Sequence, residues 1–217
     1  GWITGSGLSE GQCRMWGNPV AEMMYEAERY FGGKGTPTTV FSAGTDAVGT
    51  DDRVLGLPNS GENPTADNNW TAPYSKYPSC SKPFVIVLSD VNPSYDSDQL
   101  PGVDSDFGAF AGDLPGLNVK TIADAIGVEE GINGTNAFIG QVDGATDTVC
   151  SSKNISGLGS IRGLCPEEPT KKGSYYSAAV ANYGKTQFSA DTGNPNITTY
   201  SVALVSPVPE IKIDVNG

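Results

Sequence analysis

The sequence predicts an α/β fold in which a parallel sheet is flanked by helices and interrupted by two long polar insertions. Three observations carry this. Helical and extended patterns alternate along the chain, an order that sets strands side by side with helices over them. The segment Pro83–Asp90 is continuously apolar from Phe84 to Leu88, which suits a strand covered on both faces. An amphipathic stretch after Asn18-Pro19 supplies the first covering helix.

Asn18 is a good N-cap, and Pro19 fits the first helical position, where its missing N–H costs nothing. Val20, Met23, Met24, Ala27 and Phe31 fall on one face at helical spacing, Glu22, Glu26 and Arg29 face away, and Gly32-Gly33 ends the helix. Residues 35–79 are Thr, Gly, Pro, Asn and Asp with scattered apolar positions, a first insertion of a length that is usually functional. The strand at 83–90 then runs into an acidic loop holding Asp90, Asp96, Asp98, Asp104 and Asp106. A second helix is expected from Val119 to Ile126, capped by Asn118 and stopped at Gly127. Asn136–Val142 reads as a short strand, and residues 143–172, with Cys150 and Cys165, as a second polar insertion. A third helix spans Ser174–Tyr183 and stops at Gly184, with Tyr175, Tyr176 and Tyr183 half-buried. Thr198–Val205 is the second good strand, and the alternation of Ile211, Ile213 and Val215 marks an edge strand.

At 217 residues the chain is about one domain. Its 25 acids against 13 bases give a net charge of −12, which argues against nucleic-acid partners and anionic membrane surfaces. The absence of histidine removes Ser-His-Asp and Cys-His nucleophile pairs and imidazole metal ligands. The longest apolar run, Phe84 to Leu88, is far short of the ~20 residues that span a bilayer, so no membrane insertion is expected. Cys13, Cys80, Cys150 and Cys165 lack C-x-x-C spacing, which argues against zinc. Their even number suits disulfides outside the cytosol, with three connectivities open.

Asp90 is the leading candidate for site chemistry. Ligands of open α/β sheets sit beyond the carboxyl ends of strands, and Asp90 lies at such an end. Ser89, Asn92, Ser94, Asp96 and Asp98 surround it in sequence, an oxygen-rich set suited to Mg²⁺ or Ca²⁺. The plainer alternative is a solvated acidic turn. The doublets Glu129-Glu130 and Glu167-Glu168 are not glycosidase pairs, because adjacent side chains point apart. Gly157–Gly163 departs from the dinucleotide fingerprint in the position of its third glycine.

The segments Gly17–Phe31, Pro83–Asp90, Arg162–Thr170, Gly173–Ala178 and Tyr200–Leu204 resemble the PilC/PilY family of type IV pilus proteins. The first helix and strand also follow the pattern of von Willebrand factor type A domains. The resemblance implies a large secreted protein of the cell surface or pilus, acting in pilus assembly, retraction control and adhesion. It implies that residues 1–217 are the later portion of a type A-like, Rossmann-like domain. It implies a Mg²⁺ or Ca²⁺ ion at Asp90, with Asn18 standing where the family has a threonine ligand. The D-x-S-x-S motif of that metal site is absent; the nearest string, Asp90-Val91-Asn92-Pro93-Ser94, carries Asn at the first Ser position.

The function expected is therefore binding, without catalysis. The alternatives are a structural subunit of a surface filament, or a secreted metal-dependent hydrolase using Asp90. Expected partners are the remainder of the same pilus protein or a companion fragment, minor pilins or the pilus, and a surface ligand. Cys150–Cys165 is the expected disulfide, closing a polar loop of ~15 residues for about 3 kcal/mol, with Cys13–Cys80 as the second. The sheet is expected to be incomplete within these residues, its missing strands coming from elsewhere.

Overall fold

The computed structural model describes residues 17–41, 70, 72–77, 82–89, 92–142, 149–165 and 172–204. It is a mixed α/β structure. In chain order come α1 (Val20–Phe31), a 3-10 turn (Thr39–Phe41), α2 (Pro73–Lys76), β1 (Phe84–Ser89), α3 (Val119–Glu129), β2 (Asn136–Ile139) and β3 (Gln141–Val142). There follow β4 (Ser151–Asn154), a 3-10 turn (Leu158–Ser160), β5 (Ile161–Arg162), α4 (Tyr176–Thr186), α5 (Phe188–Thr192) and β6 (Thr198–Ala203).

The parallel pairing expected from the element order is present between β1 and β6, from Phe84 beside Thr198 to Ser89 beside Ala203. Val85 and Val87 point inward and pack on a core built by α1, α3 and α4. Tyr25, Val119, Ala123, Ala179, Val180, Tyr183, Phe188 and Ile197 are its most deeply buried members. Within the described residues, the strand expected to be covered on both faces is covered on one. Phe84, Ile86 and Leu88 are 58, 56 and 66% exposed, so β1 alternates rather than being wholly buried.

α1 is also rotated from its expected face. Met23 is exposed, whereas Glu22 and Arg29 are buried. Both charged groups have partners from distant segments: the Glu22 carboxylate accepts from the Gln99 N–H, and Arg29 donates through Nε and Nη2 to both oxygens of Asp113 at 2.9 Å. The paired, charge-assisted geometry makes burial of the guanidinium tolerable. It also holds Asp113 below the usual carboxylate range. Helix α1 begins one residue later than the sequence suggests, with Pro19 in the capping position and Asn18 turned to another task.

α3 is capped as expected, the Asn118 side chain accepting from the Thr121 N–H at 2.8 Å. It does not stop at Gly127, nor α4 at Gly184. Both glycines lie inside helices at close approaches. A Cβ at 127 would lie 2.1 Å from Asn133 Oδ1, and one at 184 would lie 2.3 Å from Glu28 Oε1. Tyr176 and Tyr183 are fully buried rather than half-buried, and Tyr175 is 40% exposed.

The expected single strand over 136–142 is two. β2 pairs antiparallel with β4, and β3 with β5, so the segment read as a polar insertion contributes strands. They enclose a small second cluster of Ile139, Val142, Ile155, Leu158 and Ile161. Cys150 and Cys165 are joined as a disulfide across this lobe, with their Cα atoms 6.0 Å apart. Lys153 Nζ donates to the carbonyls of Ile139, Gly140 and Val149. Within the first insertion, the Trp70 ring lies edge-on to Tyr30 and beneath the Arg29 guanidinium. Cys13, Cys80 and the edge strand expected at 211–215 lie outside the described residues.

The close approach at Gly184 sets a stability test. Alanine adds helix propensity of about 1 kcal/mol, but here its methyl collides with the buried Glu28 carboxyl and sits 3.4 Å from Ile197 Cβ. Gly184→Ala is expected to lower unfolding stability by a net ~1–3 kcal/mol, the usual range for overpacking, as read from urea denaturation midpoints.

Candidate functional site

The candidate site is the carboxyl end of β1 against the start of α1. Asn18 forms its hub. Its backbone N–H donates to Ser94 Oγ at 2.8 Å, and its carbonyl accepts from the Ser94 N–H at 2.9 Å. Its side-chain Nδ2 donates to Ser89 Oγ at 2.7 Å and to the Asn92 carbonyl at 3.2 Å. The segment entering α1 is thereby clasped to the last residue of β1 and to the loop that follows. Asn18 and Ser89 are thus brought together. Asp90 itself lies outside the described residues.

Behind the clasp, residues 94–100 turn inward. Ser94, Asp96, Ser97 and Leu100 are buried, against the expectation of a solvated acidic turn. Asp96 is 0% exposed and accepts from the Ser174 N–H through Oδ1 at 2.9 Å. Glu22 takes the Gln99 N–H at 3.0 Å. Two buried carboxylates thus grip one short loop, Asp96 anchoring it to the residues before α4 and Glu22 anchoring it to α1. Burial pushes both carboxyls up to about 7, and nearby like charge adds to the rise, from Glu22 on Asp96 and from Asp98 on Glu22. Glu28, deeper between α1 and α4, is likewise driven well above its ordinary range by burial.

Asp104 is also buried, with Lys120 Nζ 3.7 Å away; Lys120 pairs at 2.9 Å with Asp124. The Tyr176 hydroxyl accepts from the Asp104 N–H and donates to the Gly159 carbonyl at 2.6 Å. These acids are structural tethers. Sequence reasoning missed Glu22, Glu28 and Asp96 as buried groups, since charge patterning alone assigns such residues to solvent.

Of the two residues implied as cation ligands, Asp90 lies outside the described residues and Asn18 is engaged in the clasp. Asn18 presents its amide nitrogen, a donor, to Ser89 and Asn92, and the groups gathered there are neutral. Among the described residues no group of three carboxylate, thiol or imidazole side chains is placed to hold a metal ion.

The family described as "PilY1 homolog, second domain" matches residues 1–184. The chain belongs to this family. It is 40% identical over 229 aligned positions to the protein named type IV pilus biogenesis factor PilY1 homolog from Xylella fastidiosa (strain Temecula1). That match covers all of this chain and 14% of the relative's length. No solved structure matches. The likeness to a pilus family drawn from Gly17–Phe31, Pro83–Asp90, Arg162–Thr170, Gly173–Ala178 and Tyr200–Leu204 is thereby established, and Asn18 and Ser89 of the first two segments meet in the clasp. Among the described residues no helix is long and apolar enough to cross a membrane.

Two outcomes follow. The unfolded chain ionises Glu22 and Asp96 near 4.5 and 3.8, while the folded chain holds both protons to about 7. Their stabilising effect is full below pH 4 and is lost as the pH rises through 7. Glu22 alone is expected to cost about 2 kcal/mol of stability between pH 5 and 7, and Glu22→Gln to flatten that slope in urea titrations at the two pH values. Separately, Asn18→Ala is expected to lower stability by ~1–2 kcal/mol through the lost clasp, with the melting midpoint unmoved by EDTA, Mg²⁺ or Ca²⁺. A metal-dependent rise in midpoint that vanishes in Asp90→Ala would instead place a cation at this end of β1.

Proposed function

We propose that this chain is a binding domain of a larger type IV pilus biogenesis protein, acting outside the cell in pilus assembly and surface adhesion without catalysis. The observation that carries the reading is the 40% identity to a pilus biogenesis factor homolog along the whole chain. The chain spans 14% of that relative's length, so the rest of the same polypeptide is its first partner, with minor pilins, the pilus and a surface ligand beyond it.

The parallel β1–β6 pair, with α1 entering at the carboxyl end of β1, supports a von Willebrand factor A-like arrangement. The Cys150–Cys165 disulfide supports an oxidising, extracellular setting. The binding reading is favoured by how the site's acids are used. Glu22 and Asp96 carry perturbed protonation of the kind that marks catalytic groups, yet both are buried and committed to backbone N–H groups of Gln99 and Ser174. Such carboxylates hold a loop in place and are not presented to a substrate.

The test is an in-frame deletion of residues 17–204 from the native pilus protein in its own cell. Surface pili, counted by electron microscopy, and attachment to abiotic or host surfaces are both expected to fall at least tenfold. Wild-type piliation together with wild-type attachment would refute the reading. Immunogold labelling separates the filament-subunit alternative, for which label would run along the entire pilus.

A further inference from the structure

The outer face of the β1–β6 pair is a largely apolar surface, bordered at its amino end by Thr198 and Lys185. Phe84, Ile86 and Leu88 of β1 stand beside Tyr200, Val202 and Leu204 at the β6 side, each between 46 and 67% exposed. The register sets Ile86 next to Tyr200 and Leu88 next to Val202. The Phe84 and Tyr200 rings meet edge-on with centroids 6.4 Å apart. Isolated exposed apolar residues need no explanation, but a contiguous patch in paired strands does.

β1 is apolar on both sides, because Val85 and Val87 pack into the core on the inner face. That is the composition of a parallel strand covered above and below. Among the described residues β6 is the one strand hydrogen-bonded to β1. A two-stranded pair is marginal by itself, and a free apolar edge recruits another strand.

We propose that this face and the edge of β1 that carries no strand among the described residues seat a strand and an amphipathic helix supplied by another part of the same longer pilus polypeptide. The inference rests on the reading above that the chain is one portion of such a protein. Length supports the choice of occupant: the matched segment is 14% of the relative, leaving 86% of that polypeptide beyond it. Charge argues against a second copy. Each chain carries −12, a net charge that opposes the pairing of two copies. A tethered segment also arrives at millimolar effective concentration. The occupant's chemistry follows from the surface it meets. Its helix presents an uncharged stripe at every third or fourth residue to Ile86, Leu88 and Val202, and its strand adds backbone hydrogen bonds along β1.

Hydrogen exchange over Phe84–Leu88 tests this, measured in the purified 217-residue chain and in the longer natural polypeptide. The amides of β1 are expected to exchange at least 100-fold more slowly in the longer protein. Ile86→Glu in the longer protein is expected to erase that difference while far-UV circular dichroism and the Cys150–Cys165 disulfide are retained. Equal exchange at the two lengths would overturn the proposal, whether β1 is protected in both or open in both. A dimer of the 217-residue chain that protects β1, seen by sedimentation velocity, would assign the face to a second copy and overturn it as well. Failure of the pilus reading would show separately, as unchanged piliation of cells.

Discussion

Parallel pairing of β1 with β6 is the constraint on which the rest of the structure depends. Two parallel neighbours cannot be joined by a tight turn; the chain must travel back to the starting end before the second strand begins. Here the return takes all of residues 90–197, and the described part of it contributes α3, the antiparallel lobe and α4. α1, α3 and α4 lie on the inner face with Val85 and Val87. The inner face is therefore crowded with helices, while the same strands keep an apolar outer side.

Crowding of that kind explains the buried acids. The loop after β1 must leave the strand, pass the start of α1 and reach α3, and its N–H groups need acceptors along the way. Ser94 and Asn18 satisfy one another, Glu22 satisfies Gln99, and Asp96 satisfies Ser174. Carboxyl groups serve as backbone acceptors where no strand or helix partner is within reach. Their displaced proton affinities are a by-product of that placement.

Much of the fold was legible in the sequence because local chemistry determined it. Asn118 caps α3, the apolar run at Phe84–Leu88 is a strand, and the strand at Thr198 pairs parallel with it. What was illegible depended on contacts far apart in the chain. The face of α1 turned on Glu22 meeting Gln99, 77 residues away, and Arg29 meeting Asp113, 84 residues away. Gly127 and Gly184 read as helix stops because a glycine's local meaning is a break, whereas here each makes room for a neighbour's side chain. At the candidate site, the sequence pointed to Asn18 and to the residues that follow β1, and the structure joins Asn18 to Ser89. The use of Asn18 as a hydrogen-bond donor was not legible, since composition does not say which end of an amide faces a strand.

The two apolar clusters are separate lists of residues, but they are not separate bodies. Ile126 packs against both. Tyr176, in α4 within the larger cluster, sends its hydroxyl to the Gly159 carbonyl beside the smaller one while holding the Asp104 N–H. Opening the disulfide-closed lobe would cost that hydroxyl its acceptor and Ile126 its packing against the smaller cluster. The lobe and the helical layer are therefore tied together by Ile126 and by Tyr176, a residue that belongs to neither of the lobe's strand pairs.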